Sequence, residues 1–362
     1  MSDKRIHVKA SREYDVVIGA GLVKCAGPLV KEAVPKATKT LLVSETNVAP
    51  LYLDTVKASL EENGLEVVTF IFDAGEQSKN INTISGMWGA MAKAGFTRTD
   101  AVVSLGGGVT CDMAGFAAAT FLRGIQVVQM PTSLLAQVDA AVGGKTGIDL
   151  PEGKNQVGSF HQPSMVIEDT DCLKTLSHEK FVEGLGEVLK YAFIMDKALY
   201  TKLSKYEKKA DLQNDPDFLT EVVQDCVADK VDVIVGDEFD TGRRQTLNFG
   251  HTIGHVIERD SNYTKDHGIC VAKGMGIITD ASFANGLMDK EMHDNIIDLI
   301  RAYGLPCEDP ITPEQIVAGA MNDKKKRGNT LSLILVNKIG EAEIVPKTPE
   351  EFLEFLNGGK TI

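Results

Sequence analysis

Two histidines four residues apart, His251 and His255 in NFGHTIGHVIE (248–258), fall on one face of a helix, the spacing at which two imidazoles reach one metal ion. A third, His267 in KDHGIC, follows sixteen residues after His251, so three of the chain's 7 histidines crowd into one short stretch. A carboxylate for such a site comes from EGLGEVLKYA (183–192), where Glu187 and Lys190 interrupt an apolar helical stripe. An ordinary i,i+3 ion pair would also account for those two. Spacing alone nominates His251, His255 and one carboxylate and leaves His267 open; Cys270 is a weaker candidate, better read as a small buried hydrophobe. The zincin pattern H-E-x-x-H is not met, because Thr252 follows His251.

The second chemistry is anion binding. In VVSLGGGVTCDMAGFAAATF (102–121) a strand runs through three glycines into a helix. Glycines there let backbone amides approach a diphosphate, and the helix N-terminus adds roughly half a positive charge. Asp112, near the helix start, is placed to cap it or to accept a hydrogen bond from a ribose or a substrate. The triplet does not match G-x-G-x-x-G, so by itself a tight turn without ligand fits as well. The next stretch, PTSLLAQVDAAVGGKTGIDLPEGKNQVGSFHQP (131–163), sets Asp139, Lys145, Lys154 and Asn155 among small residues. Polar groups in Gly-rich loops beside the carboxyl edge of a sheet make a ligand crevice. A solvated loop is the alternative, and the recurrence of GGK and GKN nine residues apart weighs against it.

These groups need a scaffold. Short β-rich runs, YDVVIGAG, KTLLVS (39–44), EVVTFIF (66–72), DAVVSL (100–105), QVVQM (126–130) and SMVIED (164–169), alternate with amphipathic or Ala-rich helical stretches. Near-continuous apolar strands separated by helices predict a mainly parallel sheet covered on both faces. After about Asp171 the period lengthens to that of a helix. Phe181, Val182, Leu185, Val188, Leu189 and Ala192 form one stripe, and Val222, Val223, Cys226, Val227, Ile234 and Val235 another. Thr312-Pro313-Glu314-Gln315 and Thr348-Pro349-Glu350-Glu351 read as capped helix starts, with TLSLILVNKIGEAEIVP between them as a β-hairpin. The predicted fold class is α/β. An N-terminal Rossmann-like nucleotide-binding domain with a mainly parallel sheet spans 1–170, and an α-helical metal- and substrate-binding domain spans 171–362. Single cores stop growing near ~250–300 residues, so two domains sharing a cleft are expected of a chain of 362.

With 38 Lys+Arg against 51 Asp+Glu, the net charge of −13 argues against a nucleic-acid partner. Six cysteines without a C-x-x-C pair fit a reduced compartment. The N-terminal MSDKRIHVKASREYD lacks an apolar leader and no 18 apolar residues run together, so no membrane partner and a cytoplasmic location are expected.

Taken together, GGGVTCDMAGFAAATFLRG, PTSLLAQVDAAVGGKTGIDLPEGKN, EGLGEVLKYA, LNFGHTIGHVIE and DHG closely resemble the 3-dehydroquinate synthase family, in order and spacing from about residue 70 to 340. The resemblance implies an NAD-dependent, metal-dependent, phosphate-eliminating lyase of the shikimate pathway, which leads to chorismate and the aromatic amino acids. Its substrate would be a small anionic sugar-acid phosphate, 3-deoxy-D-arabino-heptulosonate 7-phosphate, and its products 3-dehydroquinate and phosphate. Transient oxidation by NAD, phosphate elimination, reduction and aldol closure would follow in turn. Zinc, with cobalt equally suited, and a homodimer are implied as well.

The resemblance also distributes roles. It assigns the metal to Glu187, His251 and His267, and moves His255 toward the substrate as a proton-transfer or phosphate-contacting group. NAD contacts fall on Glu45 and Asn47, on Ala74, Gly75, Glu76, Gln77, Ser78 and Lys79, and on Gly107, Gly108, Val109, Thr110, Cys111 and Asp112. Thr132, Ser133, Lys145, Lys154, Cys172, Leu173, Lys174 and Thr175 complete that set. The substrate falls to Arg123, Asp139, Asn155, Lys190, Lys230, Arg244 and Asn248 beside Lys145 and Lys154, with Lys324 or Lys325 also reaching it. Three departures touch binding rather than chemistry: Glu45 for the usual Asp, Thr132-Ser133 for Thr-Thr, and Thr110-Cys111 for Ile-Gly.

Rival readings are another sugar phosphate cyclase, a metal-dependent polyol dehydrogenase with a similar GGG turn, and a non-catalytic NAD-binding or scaffold protein. A substrate lacking the carboxylate would not need Arg244, Lys145 and the GGK loop, and a scaffold would tolerate loss of the metal set; all are present.

Overall fold

The computed structural model describes residues 3–321 and 330–358. The chain divides into two compact units, Met1–Ser177 with Asn214–Phe239, and His178–Gln213 with Asp240–Ile362. In chain order the first unit contains β1 (Lys4–Lys9), β2 (Glu13–Gly19), α1 (Ala26–Ala33), β3 (Lys39–Glu45), α2 (Ala49–Glu62), β4 (Glu66–Phe72), α3 (Ile81–Lys93), β5 (Ala101–Gly106) and α4 (Gly108–Thr120). It continues with β6 (Gln126–Pro131), β7 (Lys145–Leu150), β8 (Gly153–Phe160) and β9 (Met165–Asp169). The chain then enters the second unit with α5 (His178–Ile194) and α6 (Lys197–Lys205), and returns to the first for α7 (Pro216–Gly236). The second unit is completed by α8 (His251–Asp260), α9 (His267–Ala284), α10 (Lys290–Ala302), α11 (Pro313–Met321), β10 (Leu331–Lys338), β11 (Glu341–Lys347) and α12 (Pro349–Leu356).

Seven strands of the first unit form one sheet in the order β1-β2-β9-β6-β5-β3-β4. Only β1 runs antiparallel, against β2. From β2 onward every pairing is parallel, with Val43 beside Ser104 and Gly106 beside Pro131. Every residue of β5 is buried, because its side chains alternate between two cores. Val103 and Leu105 pack with α1 and α2 through Leu29, Val56 and Leu60. Val102 faces the other layer, where Met87 of α3 and Met113 and Ala117 of α4 cover the sheet. At ~25 cal/mol per Å² of apolar surface removed from water, each fully buried Val or Leu contributes roughly 1.5–3 kcal/mol to holding this sheet flat against its helices.

Three expectations change in detail. Residues 145–160, read as ligand loops, are a two-stranded antiparallel hairpin, β7 against β8. Its mostly polar, glycine-punctuated strands bury too little to announce themselves as strands. The single boundary near 170 also gives way to an excursion, because α7 packs back on the first unit: Thr220 Oγ1 meets Thr170 Oγ1 at 2.9 Å. On α7, Val222, Val223, Cys226, Val227 and Ile234 are buried, but Val235 is 49% exposed; one residue past Ile234 turns it about 100° off the stripe.

The second unit is helical with one hairpin, β10 against β11. The stripe of α5 is buried apart from the partly exposed Val182. Thr348 and Glu351 make the reciprocal capping box of α12, and Thr312 and Gln315 make the equivalent pair of bonds at α11.

Candidate active site

In the first unit the carboxyl ends of the parallel strands carry the nucleotide candidates. β5 and β4 lie on opposite sides of β3, so the strand order reverses between β3 and β5, the place where open α/β sheets bind ligands. Glu45 ends β3 and Gly107 follows β5. Having no side chain, Gly107 cannot cap α4, and the helix's first amides keep their capacity for an anion. Glu45 turns back on its own loop, where its carboxylate accepts from the amides of Asn47 and Val48 at 2.7 and 3.1 Å. Thr132 donates its N–H to the Gly106 carbonyl, holding the next turn beside the glycines. Cys111 and Cys172 are buried, and burial pushes the Cys111 thiol up to about 12.

Lys79 is the hub of this edge. Only 4% exposed, its ammonium donates to Asp112 Oδ2 and to Asn155 Oδ1, both at 2.6 Å. Burial opposes its charge, yet Asp112 and Glu76 hold its pKa above the ordinary lysine value. Asp112 is raised by its own burial, against the pull of Lys79; it pairs across the fold instead of capping α4. Lys154 Nζ lies 3.3 Å from Glu76 Oε1, so the 74–79 segment and the hairpin meet. Asn155 adopts φ +53°, a left-handed conformation Asn tolerates, with its N–H bound to Asp149 Oδ1 at 2.7 Å. Lys230 of α7 donates to both the carbonyl and the carboxylate of Asp139. Arg123 and Lys145 are exposed, and Arg123 follows Leu122 in a left-handed turn, φ +69° and +50°. Such strain persists where the surroundings dictate it.

In the second unit α5, α8 and α9 converge on one carboxylate. Glu187 is fully buried, and neither of its oxygens has a hydrogen-bond partner. Its Oε1 lies 3.5 Å from His251 Nε2 and 3.5 Å from His267 Nε2, and Lys190 forms an ion pair with Oε2 that lacks hydrogen-bond geometry. His255 joins them: His251, His255 and His267 each bring a ring nitrogen within 4.8 Å of the others. The site thus gathers both the pair nominated by spacing and the third histidine that spacing left open. Close approach is set by Gly268, where a Cβ would stand 1.9 Å from the Glu183 carbonyl oxygen, so α9 begins in contact with the backbone of α5.

Electrostatics leaves Glu187 ionised and His251 neutral, the states that a cation needs. Burial would raise the Glu187 pKa, but Lys190, His251 and His267 hold it well below the usual carboxylate range. Burial, helped by Lys190 and the neighbouring imidazoles, pushes His251 far below its ordinary value despite Glu187; it is neutral, the form that ligates a metal. For His267 burial is outweighed by the adjacent Glu187 and Glu258 carboxylates, which lift it to about 10, so an ion binding there would displace its proton. A buried carboxylate without hydrogen bonds, beside imidazole nitrogens, fits a divalent ion of the zinc type. Cys270 is buried on α9, as its reading as a small hydrophobe requires.

Comparison with known proteins decides the family. Models of the 3-dehydroquinate synthase N-terminal and C-terminal regions match residues 69–183 and 184–326. The chain belongs to the 3-dehydroquinate synthase family. It is 42% identical over 346 residues to the 3-dehydroquinate synthase of Streptococcus suis, covering 95% of this chain and 96% of the relative. It is 43% identical over 345 residues to that of Lactococcus lactis subsp. cremoris, with the same coverage. Among solved structures, the 2-epi-5-epi-valiolone synthase of Streptomyces hygroscopicus, crystallised with NAD+ and Zn2+, is similar at 28% identity with a TM-score of 0.87, over 98% of each chain.

Within this 3-dehydroquinate synthase frame the remaining candidates have definite places. Arg244 is buried, and Asn248 donates to the Gln245 carbonyl at 3.0 Å, both just before α8. Thr175 contacts the Tyr52 hydroxyl, and Lys174 pairs with Asp171 at 2.6 Å. Lys324 and Lys325 lie outside the described residues. The sequence reading gave no role to Glu258, although its signal was present: it stands seven residues after His251, two turns along the same helix face.

Proposed function

We propose that this chain is a 3-dehydroquinate synthase, converting 3-deoxy-D-arabino-heptulosonate 7-phosphate into 3-dehydroquinate and inorganic phosphate. The observation that carries the reading is its likeness, over 95% of its length, to relatives of that name. The cluster around Glu187 supports it, because the reaction needs an alcohol made easy to oxidise.

Glu187, His251 and His267 would hold the metal, zinc or cobalt, which when bound lowers the pKa of a substrate hydroxyl and polarises the carbonyl that replaces it. NAD would lie along the residues after β3, β4, β5, β6 and β9, where, when bound, it takes up a hydride and gives it back, leaving no net redox change. The α4 N-terminus and the amides after Gly107 receive the pyrophosphate. Arg123, Lys145, Lys154, Lys190, Lys230 and Arg244 neutralise the carboxylate and phosphate of the substrate, Arg by two-pronged bonds. Asp139, Asn155 and Asn248 orient its hydroxyls, and His255 moves a proton or steadies the phosphate. No carboxylate dyad is needed if the substrate's phosphate takes the proton whose loss expels it.

A homodimer is proposed from the family resemblance. A cytoplasmic location is proposed from the cysteines, all six of them free, and from the absence, among the described residues, of a helix long and apolar enough to cross a membrane.

The test is phosphate release. The heptulosonate phosphate should liberate phosphate with no net NADH. Release only from sedoheptulose 7-phosphate would move the chain to another cyclase activity, and NADH accumulating with glycerol-like alcohols would make it a polyol dehydrogenase.

A further inference from the structure

The two imidazoles that face Glu187 are held from behind in different ways. His251 Nδ1 donates to the Phe249 carbonyl, a neutral acceptor, at 3.0 Å. His267 Nδ1 points at a carboxylate, Glu258 Oε2, at 3.3 Å. Glu258 is 4% exposed and sits on α8, while His267 opens α9. Both bonds occupy Nδ1 and turn Nε2 toward Glu187, yet only one partner carries charge.

We infer that Glu258 is a positioning residue for the metal site, acting through His267 to fix its Nδ1–H tautomer and strengthen its Nε2 as a ligand. A histidine that gives its second ring N–H to a carboxylate is locked in orientation and made a better donor to the ion. The helix geometry makes the arrangement self-consistent: Glu258 lies two turns beyond His251 on one face of α8, so a single helix supplies a metal ligand and the partner of another. The inference rests on the reading of Glu187, His251 and His267 as the metal ligands.

Glu258→Gln keeps size and shape and removes the charge. We expect it to bind Co2+ about 10–100-fold more weakly than the parent, by competition with a chelator, and to show altered visible absorption bands of the bound ion. NAD affinity and far-UV circular dichroism should match the parent. Metal affinity within twofold of the parent, with unchanged bands, overturns the inference. A measurement on the parent alone guards against a variant that does not fold: histidine nitrogen NMR of the zinc-loaded protein should show His267 protonated at Nδ1 and ligated through Nε2, and ligation through Nδ1 overturns the inference. His267→Ala separates the two levels. If Co2+ binding survives that change, the ligand reading itself fails; if it is lost while Glu258→Gln is unaffected, only the role of Glu258 fails.

Discussion

Glu168, near the end of β9, shares with Glu187 a fully buried side chain whose two oxygens lack hydrogen bonds, but the consequences are opposite. Glu187 is surrounded by Lys190 and imidazoles that keep it ionised. Glu168 is pushed well above the usual carboxylate range by burial, with only the Lys230 charge pulling it back. A carboxyl whose folded pKa exceeds its unfolded value near ~4.3 loses stability for the protein as pH rises from that value through the folded one. Glu168→Met should therefore stabilise the fold by about 1–3 kcal/mol at pH 8, with a smaller gain at pH 5. Urea denaturation at the two pH values measures this, and an equal gain at both, or a loss, would refute it. The sequence nominated Glu187 as the carboxylate for a cation, but gave no sign that Glu168 is buried as deeply without such neighbours. The distinction lies in neighbours brought by other elements.

At the scale of elements, two contacts decide placement. Asp100, fully buried, accepts from the amides of Thr38, Lys39 and Thr97 and from the hydroxyls of Thr38 and Thr97, tying the start of β3 to the turn before β5. Burial would raise its pKa, but the bonds from Thr97, Lys39 and Thr38 keep it below the ordinary value. That stability is complete above the unfolded pKa near ~3.9 and is lost as pH falls through the folded one. Asp100→Ala should cost about 2–3 kcal/mol at pH 7, where three amides lose a charged acceptor, and much less at pH 2.5. Denaturant midpoints at those pH values would show it, and a pH-independent loss would count against it. The second contact is Gly268. A methyl there meets the Glu183 carbonyl at 1.9 Å, so Gly268→Ala must lift the start of α9 from α5 and with it His267 from Glu187. Chelator competition should give at least tenfold weaker metal binding with NAD affinity unchanged; unchanged metal affinity would mean that α9 can shift without moving His267. Strands and helices were readable because their periods are local. The β7–β8 hairpin was not, since its short polar strands carry no apolar alternation, and neither was the return of α7 to the first unit.

For the whole molecule, the division of labour between the two units is directly testable. The metal candidates belong to the second unit and the NAD candidates to the first. Stripping the metal with a chelator should abolish phosphate release and lower the melting temperature, because an ion bound only to the folded state stabilises it by mass action. NAD affinity, followed by fluorescence quenching, should survive, as it should in His267→Ala; parallel loss of NAD binding would contradict the assignment. The net charge of −13 argues on composition against a nucleic-acid partner, yet it did not foretell the six lysines and arginines proposed to meet a small dianion.

The sequence by itself determined the α/β class, the order of the motifs, the helix starts at Thr312 and Thr348, and the histidine pair on one face of α8. All of these follow from periodicity and neighbouring residues. The tertiary structure brings His267 to the same carboxylate as His251, as the resemblance implied and spacing did not, and it alone decided that Lys79 joins Asp112 to Asn155 and that Glu258 stands behind His267. Spacing along a chain reports geometry within one element, whereas these contacts join different elements. They depend on how closely backbones can pack, as where Gly268 lets α9 touch α5.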